Sequence, residues 1–240
     1  MKLKSFGISD IGLSRENNED VFTALPDVPF FILADGMGGH NAGEIAASLA
    51  VESMCTSIKS LPLEATVEDT CQFLRQAIAN ANKKVFEESL LNTKCSGMGT
   101  TLSCFIIVKN FLIYAHIGDS RLYRYRDTLE QLTEDHSLCN RFLSQDEHTP
   151  AQRNVITRAI GNLSTILPDI GVIPLLPQDL YMLCSDGLSD YTSENKMIRI
   201  LSSPLQLEEM AGKLVKSALE NGGNDNITLL LVKISGVKQK

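Results

Sequence analysis

The most informative stretch of this sequence for the fold is Phe30-Phe31-Ile32-Leu33-Ala34-Asp35-Gly36-Met37-Gly38-Gly39. Its first five residues form an apolar run typical of a buried strand. A carboxylate after such a strand, followed by glycines, lets the backbone turn sharply and approach another group closely. Hard divalent cations prefer oxygen ligands of this kind. Taken alone, the stretch is equally consistent with a tight strand-to-helix turn in which Asp35 is a cap.

The same acidic arrangement recurs along the chain. An Asp lies beside Gly or Asn at Asp35-Gly36, Gly118-Asp119-Ser120, Asp186-Gly187 and Asn224-Asp225-Asn226, and Glu19-Asp20 adds a fifth acidic edge. Each could be an independent turn, because Asp readily bonds nearby backbone groups. An unpaired buried carboxylate is costly, however, so convergence on shared divalent cations is the favoured interpretation. Oxygen-only clusters select Mg, Mn or Ca, and no His stands at zinc-like spacing from these turns.

Composition excludes several classes of protein. The chain has 240 residues, with 22 Lys and Arg against 29 Asp and Glu and a formal net charge of -7. It contains no basic run, so nucleic acid is not expected as a partner. The six cysteines form no Cys-x-x-Cys pair, which argues against a zinc or disulfide framework.

Hydropathy predicts a cytoplasmic protein that does not contact a membrane. No run approaches the roughly 18 apolar residues of a membrane span. The first seven residues contain no apolar signal region. No repeat or composition shift marks a boundary, so residues 1–240 are expected to form a single domain.

Periodicity and turn residues predict a mixture of strands and helices. Strands are predicted at Lys2–Asp10, Val21–Ala24, Phe30–Ala34, Leu102–Val108, Leu112–Ile117, Ser120–Arg126, Leu180–Cys184 and Ile227–Ile234, with an extended stretch at Ile166–Leu176. Helices are predicted at Ala42–Ile58, Val67–Leu90, Leu138–Gln145, Ser193–Leu201 and Leu205–Asn221. Short turns between the central strands indicate antiparallel pairing, and consecutive amphipathic helices indicate helical pairs packed on a sheet.

Arg15 lies just before the Glu19-Asp20 pair. A guanidinium makes bidentate contacts to phosphate, which makes Arg15 the candidate for a phosphate-binding group. On sequence alone, a surface salt bridge to a neighbouring Glu is the commoner role for such an arginine.

Seven segments, taken in order, resemble the PPM family of metal-dependent, type 2C Ser/Thr protein phosphatases, in particular its compact bacterial branch. The segments are Arg15-Glu16-Asn17-Asn18-Glu19-Asp20, Asp35-Gly36-Met37-Gly38-Gly39, Gly99-Thr100-Thr101, Ile117-Gly118-Asp119-Ser120-Arg121, Leu132-Thr133-Glu134-Asp135-His136-Ser137, Ser185-Asp186-Gly187-Leu188 and Gly223-Asn224-Asp225-Asn226-Ile227-Thr228. One such segment is weak evidence, whereas the whole set at fitting spacings is specific.

The resemblance implies an α+β fold, a four-layer αββα sandwich of two antiparallel sheets flanked by helical pairs. It also implies two Mn²⁺ or Mg²⁺ ions in a cleft at one end of the sandwich. Asp35 would bridge the ions, the Gly36 carbonyl would also be a ligand, and Asp186 and Asp225 would complete the inner ligands.

Further residues take roles from the same resemblance. Glu19 and Asp20 would act through metal-bound waters, and Asp119 would hold a third ion where one is present. Arg15 would bind the substrate phosphate. Supporting residues for the ligand turns would be Thr100, Thr101 and Asn226.

The expected reaction is direct hydrolysis of phosphoserine and phosphothreonine by a water that bridges the two metals, with no phosphoenzyme. The expected partners are phosphorylated protein substrates of a cytosolic Ser/Thr kinase, and the expected state is a monomer. Met37 stands where many eukaryotic relatives have a His proposed as general acid, and His40 is not favoured in its place. The stretch from His136 to Gly161 corresponds to the flap of bacterial members and is shorter than expected. Within it, His136 is expected to be structural and His148 solvent-exposed.

Three other functions are less consistent with the sequence. A dedicated phosphatase for an anti-sigma-factor antagonist is disfavoured because no sensor domain is attached. A pseudophosphatase is disfavoured because every expected acidic position is present. Another two-metal hydrolase, such as a nuclease, is disfavoured by the acidic charge balance and the missing basic groove.

Overall fold

The computed structural model describes residues 2–38, 42–138 and 155–236. Its strands are β1 (Lys2–Asp10), β2 (Asp20–Ala24), β3 (Phe30–Met37), β4 (Gly99–Thr100), β5 (Leu102–Val108), β6 (Phe111–Ile117), β7 (Arg121–Tyr125), β8 (Leu129–Gln131), β9 (Asp169–Pro174), β10 (Leu180–Cys184) and β11 (Ile227–Gly236). Its helices are α1 (Ala42–Ile58), α2 (Val67–Leu91), α3 (Asp186–Ser189), α4 (Glu194–Leu201) and α5 (Leu207–Glu220), with a short 3₁₀ turn at Thr93–Cys95.

The strands form two antiparallel sheets. One sheet has the order β1-β11-β10-β7-β8, and the other has the order β2-β3-β5-β6-β9 with β4 added beside the end of β3. Every pairing is antiparallel. Helices α1 and α2 pack on the second sheet, and α4 and α5 pack on the first. The predicted four-layer αββα sandwich is therefore confirmed.

The apolar run at the start of β3 is continuous because this strand is buried on both faces. Successive side chains of a strand point to opposite faces of the sheet. Phe30 and Ile32 pack in the layer beneath α1 and α2. Phe31 and Leu33 pack in the layer between the two sheets. All four side chains are at most 4% exposed, as expected for a central strand of a four-layer fold.

Small residues bring helix α1 close to the end of β3. Ala42, Gly43, Ala46 and Ala47 form its buried first turns. A Cβ added at Gly36 would collide with the backbone carbonyl of Gly43. Only glycine therefore permits this approach of helix and strand, which places the start of α1 directly over the acidic part of β3.

The structure corrects two local expectations. The chain does not turn at Asp35-Gly36, because β3 continues to Met37. The two-residue strand β4 pairs with Gly36 and Met37 and supplies the hydrogen bonds that prolong β3. Asp186 was expected in a strand-edge turn, but it begins the one-turn helix α3.

Other predicted bounds agree to within three residues, and β8 (Leu129–Gln131) was not predicted. Gly39, His40, Cys139, His148 and most of the helix predicted at Leu138–Gln145 lie outside the described residues. No helix in the described part of the chain is long and apolar enough to cross a membrane.

Candidate metal centre

The five acidic segments meet at one end of the sandwich. Asp20 begins β2 and lies directly opposite Asp35 in β3, so the sheet register itself pairs these two carboxylates. Asp119 lies between β6 and β7, while Asp186 follows β10 and Asp225 precedes β11. Mutual repulsion links Asp35 to Asp20, Asp186, Asp119 and Asp225. Both sheets therefore contribute ligand candidates to a single cluster.

Burial and repulsion act strongly on these carboxyl groups. Burial, with repulsion from Asp20 and Asp186, raises the pKa of Asp35 well above its ordinary value. Burial is also the main cause of the raised pKa of Asp20, to about 7, although hydrogen bonds from Thr228 and Ser185 oppose it. Burial and repulsion from Asp186 raise the pKa of Asp119 to about 8. These shifts mean that the protein alone poorly compensates the negative charge of the cluster.

The cluster fits a divalent cation. Among the described side chains, Oδ1 of Asp20, Oδ1 of Asp119 and Oδ1 of Asp186 are buried oxygens without a hydrogen-bond partner. Buried polar atoms without a partner are costly and rare in folded proteins. Aspartate oxygens are the ligands that Mg²⁺, Mn²⁺ and Ca²⁺ prefer. A bound cation would both satisfy these oxygens and offset their repulsion.

The side chains of the acidic cluster do not surround an ion in their present rotamers. Within the described residues, no group of three or more His, Cys, Asp or Glu side chains is already placed to hold a metal. One oxygen of the cluster already has a partner, because Arg15 donates a hydrogen bond from Nη2 to Oδ2 of Asp225, at 2.7 Å. Rotation of a side chain between its staggered rotamers is sufficient to redirect a carboxylate that is not fully enclosed, so the unpartnered oxygens could still converge on an ion.

Arg15 lies at the rim of the cluster with its side chain half exposed. Its partner is Asp225, 210 residues away in the sequence, and not a neighbouring Glu. The guanidinium thus stands next to a ligand candidate and faces solvent, where an incoming phosphate could reach it.

Glu19 is held against both β3 and α1. Its backbone carbonyl accepts a hydrogen bond from Gly36 N–H at 3.1 Å, and its Oε1 accepts one from Nδ2 of Asn17 at 3.2 Å. A Cβ on Gly43 would collide with the Glu19 carboxylate. The close packing of Gly36 and Gly43 is therefore what admits this carboxylate to the site.

Asn226, Thr100 and Thr101 bind the backbone of the ligand segments. Oδ1 of Asn226 accepts from Glu19 N–H at 2.9 Å, and its Nδ2 donates to the carbonyl of Ile11 at 3.0 Å. Oγ1 of Thr101 accepts from Asp35 N–H at 2.9 Å, while Oγ1 of Thr100 donates to the Asp35 carbonyl at 2.9 Å. These bonds orient the carboxylates without contacting them.

Ser185 and His116 are residues that sequence reasoning missed. Oγ of Ser185 donates to Oδ2 of Asp20 at 2.8 Å, which orients that carboxylate across the two sheets. His116 is a polar residue inside the apolar run of β6 and is fully buried. The sequence signal for His116 was this interruption, since a buried polar side chain requires partners.

The buried ring of His116 makes stability depend on pH. Its Nε2 lies 3.1 Å from the carbonyl of Glu134, which can only accept, so the neutral ring donates from Nε2. Its Nδ1 lies 2.8 Å from Oγ of Ser103, a hydroxyl that donates to the carbonyl of Ser120 at 2.8 Å. Burial lowers the pKa of His116 to about 3.

We expect His116 to destabilise the fold as pH falls. A depressed histidine pKa means that the unfolded chain binds the proton first, so the stability is present above pH 6.5 and is lost as pH falls towards 3. Urea unfolding at pH 7 and pH 5 should show the wild type losing about 2 kcal/mol relative to His116→Gln. Equal pH dependence of the two proteins would contradict this assignment.

Comparison with known proteins identifies the family of this chain. The family model described as protein phosphatase 2C matches residues 14–221. The chain is 37% identical over 235 residues to the serine/threonine phosphatase stp of Listeria welshimeri, covering 94% of this chain and 93% of that protein.

Solved structures show the same likeness. The serine/threonine phosphatase PstP/Ppp of Mycobacterium tuberculosis has a TM-score of 0.87 and 33% identity, covering 98% of this chain and 99% of that one. A structure of the catalytic domain of PstP in complex with two manganese ions has a TM-score of 0.86, with the same identity and coverage. The chain therefore belongs to the protein phosphatase 2C family and is a metal-dependent Ser/Thr phosphoprotein phosphatase.

Proposed function

We propose that this phosphatase hydrolyses phosphoserine and phosphothreonine by direct attack of water, using two Mn²⁺ or Mg²⁺ ions held by the acidic cluster. The observation that carries the proposal is the set of buried aspartate oxygens without partners at the meeting point of both sheets. The two manganese ions of the PstP complex support a dinuclear site in this chain.

The ligand roles are those that the family resemblance implies, and the position of each group supports them. Asp35 is central, since the other carboxylates of the cluster all act on it, and it would bridge the two ions with the neighbouring Gly36 carbonyl as a further ligand. Asp186 and Asp225 would complete the inner ligands. Ligands acting through water would be Glu19 and Asp20. Asp119, with its own unsatisfied oxygen, would hold a third ion.

Bound divalent cations would supply an acidified water at neutral pH and would offset the negative charge that develops on the phosphate. Arg15 would orient the phosphate for in-line attack from its half-exposed position at the rim. Asn226, Thr100 and Thr101 would hold the ligand backbone rigid while this happens.

No protein nucleophile takes part in this proposal. Cys104 and Cys184 are buried, and burial raises the pKa of each thiol to about 12. Met37 cannot donate a proton, so the leaving serine or threonine would take its proton from water in the cleft or from another group.

The substrates would be phosphoproteins produced by a Ser/Thr kinase in the same compartment, which we propose to be the cytoplasm. We further propose that residues 1–240 act as one catalytic domain and as a monomer. The acidic balance, with 29 Asp and Glu against 22 Lys and Arg, disfavours nucleic acid as a partner.

Hydrolysis of a phosphothreonine peptide tests the proposed function. We expect phosphate release from the wild type with Mn²⁺, and loss of release when a chelator removes the ion. The control is the same protein after Mn²⁺ is restored. Binding of Mn²⁺ without phosphate release from any phosphopeptide would overturn the proposed reaction.

A further inference from the structure

His136 contacts Gly118 in the turn that carries Asp119. Its ring is almost fully buried, with 4% of the side chain exposed. Its backbone N–H donates to the carbonyl of Gly118 at 2.7 Å, and Gly118 N–H donates to Nδ1 of the ring at 3.1 Å. Both backbone polar groups of Gly118 are therefore bound by this one residue.

The Gly118 turn needs an external restraint. Gly118 has φ +108°, a conformation that side chains rarely adopt, and an added Cβ would meet the side chain of Thr101 at 2.6 Å. Glycine can adopt the backbone conformation that this turn requires, but it can also adopt more alternative conformations than any other residue. Since Asp119 is the next residue, the orientation of Gly118 sets the direction in which the Asp119 carboxylate projects.

The ring of His136 is itself held in a single tautomer. Nδ1 must accept, because Gly118 N–H can only donate, so the ring proton lies on Nε2. Nε2 donates to Oδ2 of Asp169 at 3.0 Å, and Oδ1 of Asp169 accepts from Nη1 of Arg158 at 2.8 Å. Burial tends to raise the pKa of Asp169, but the bonds from His136 and Arg158 lower it below its ordinary value.

We propose that His136, oriented by Asp169 and Arg158, is a positioning residue that holds the Gly118 turn so that Asp119 can bind a metal ion. This inference rests on the proposed function, in which Asp119 is the ligand of a third ion. Partners that orient metal ligands typically change metal affinity by about 10- to 100-fold when they are removed.

A merely structural role would depend on different bonds. Thr157 N–H and its hydroxyl donate to the backbone carbonyl of His136, at 2.7 and 3.0 Å, and fasten the segment at residue 157. These bonds do not involve the ring, so a substitution of the side chain leaves their atoms in place. Among the described residues, the ring forms hydrogen bonds with Gly118 and Asp169, and it also packs against the ring of His116, with 4.8 Å between the ring centroids.

Two substitutions separate the ring's contacts. In His136→Asn, the side-chain Oδ1 takes the place of Nδ1, so it can accept a hydrogen bond from Gly118 N–H but the side chain cannot reach Asp169. His136→Leu removes the hydrogen bonds to both Gly118 and Asp169. Tyr114→Phe is the matched control, because it removes a hydrogen bond of 2.8 Å to the carbonyl of Leu132 in the same segment without touching Gly118.

The test measures hydrogen exchange of the Gly118 amide by NMR and Mn²⁺ binding by electron paramagnetic resonance. In His136→Leu, we expect Gly118 exchange to accelerate about tenfold and the affinity of the weakest Mn²⁺ site to fall about tenfold. The Mn²⁺ concentration for half-maximal activity should rise similarly, while KM at saturating Mn²⁺ stays unchanged. His136→Asn should lie near the wild type, and Tyr114→Phe should match it.

The inference requires that Asp119→Asn binds one Mn²⁺ ion fewer than the wild type. If that holds and His136→Leu still binds Mn²⁺ as tightly as the wild type, the inference is overturned, whether or not the exchange rate of Gly118 changes. If Asp119→Asn also binds Mn²⁺ like the wild type, the ligand role of Asp119 in the proposed function is wrong and the metal part of the inference falls with it. The exchange rates then decide by themselves whether His136 holds the turn.

Discussion

Asp35→Asn should lower kcat about 10³-fold or more, which corresponds to about 4 kcal/mol of lost transition-state stabilisation. The other aspartates of the cluster all repel the carboxylate of Asp35, which places it at the centre of the cluster. Its neighbour Gly36 packs against the backbone of α1 so closely that the backbone cannot shift there. An amide carries no negative charge and cannot bridge two cations as a carboxylate does. The measurement is steady-state hydrolysis of a phosphothreonine peptide across a range of Mn²⁺ concentrations.

The same substitution should stabilise the metal-free chain. Because the pKa of Asp35 is raised in the folded state, its favourable contribution exists in acid and is lost as pH rises through the raised value. The gain from Asn should therefore be large at pH 8 and absent near pH 3.8 and below, where both states are protonated. Each 1 kcal/mol would appear as about 2–4 °C in melting temperature.

Asp179→Asn is the matched control for Asp35→Asn. Asp179 is also buried, but its carboxylate is fully satisfied by Arg126, by Leu176 N–H and by the hydroxyl of Tyr181. This variant should lose about 2 kcal/mol of stability and keep its kcat, the reverse of the expected pattern at position 35. Retained activity in Asp35→Asn at any Mn²⁺ concentration would show that the ligand assignment is wrong.

Arg15→Ala should reduce kcat/KM about 10²-fold, since removal of one charged donor from a developing oxyanion typically costs this much. Arg15→Lys should lose about tenfold, because a lysine keeps the charge but not the planar pair of donors. The half-exposed guanidinium lies at the rim of the acidic cluster, where a substrate phosphate would arrive in the proposed reaction.

The affinity for Mn²⁺ should rise in Arg15→Ala, whereas kcat/KM falls. Arg15 occupies Oδ2 of Asp225 in this structure, so its removal frees a ligand oxygen. Exposed ion pairs contribute about 0.2–1 kcal/mol, which predicts a rise in Mn²⁺ affinity of up to about fivefold. Calorimetric titration with Mn²⁺ measures this change. An Arg15→Ala protein that binds Mn²⁺ more weakly and keeps its kcat/KM would contradict both parts of the assignment.

Much of the fold followed from local pattern alone. Buried residues recur along a helix or strand with the period of that element, so the sequence pattern shows which faces are buried. This pattern is visible in the apolar run of β3, in the amphipathic helices and around the short turns between the central strands. The predicted helix Ala42–Ile58 and the predicted strands Leu102–Val108 and Leu180–Cys184 match the structure residue for residue. The continuation of β3 to Met37 was missed because it depends on pairing with β4, more than 60 residues away.

The amino-acid sequence by itself determined the layers of the sandwich and the chemical identity of the candidate site, since turns rich in Asp and Gly are local features. Only the tertiary structure decided how those groups are arranged. It set Asp20 opposite Asp35, Arg15 on Asp225 and His136 on Gly118. The physical reason is that each of these contacts depends on sheet register and packing between distant segments, which no local pattern of residues records.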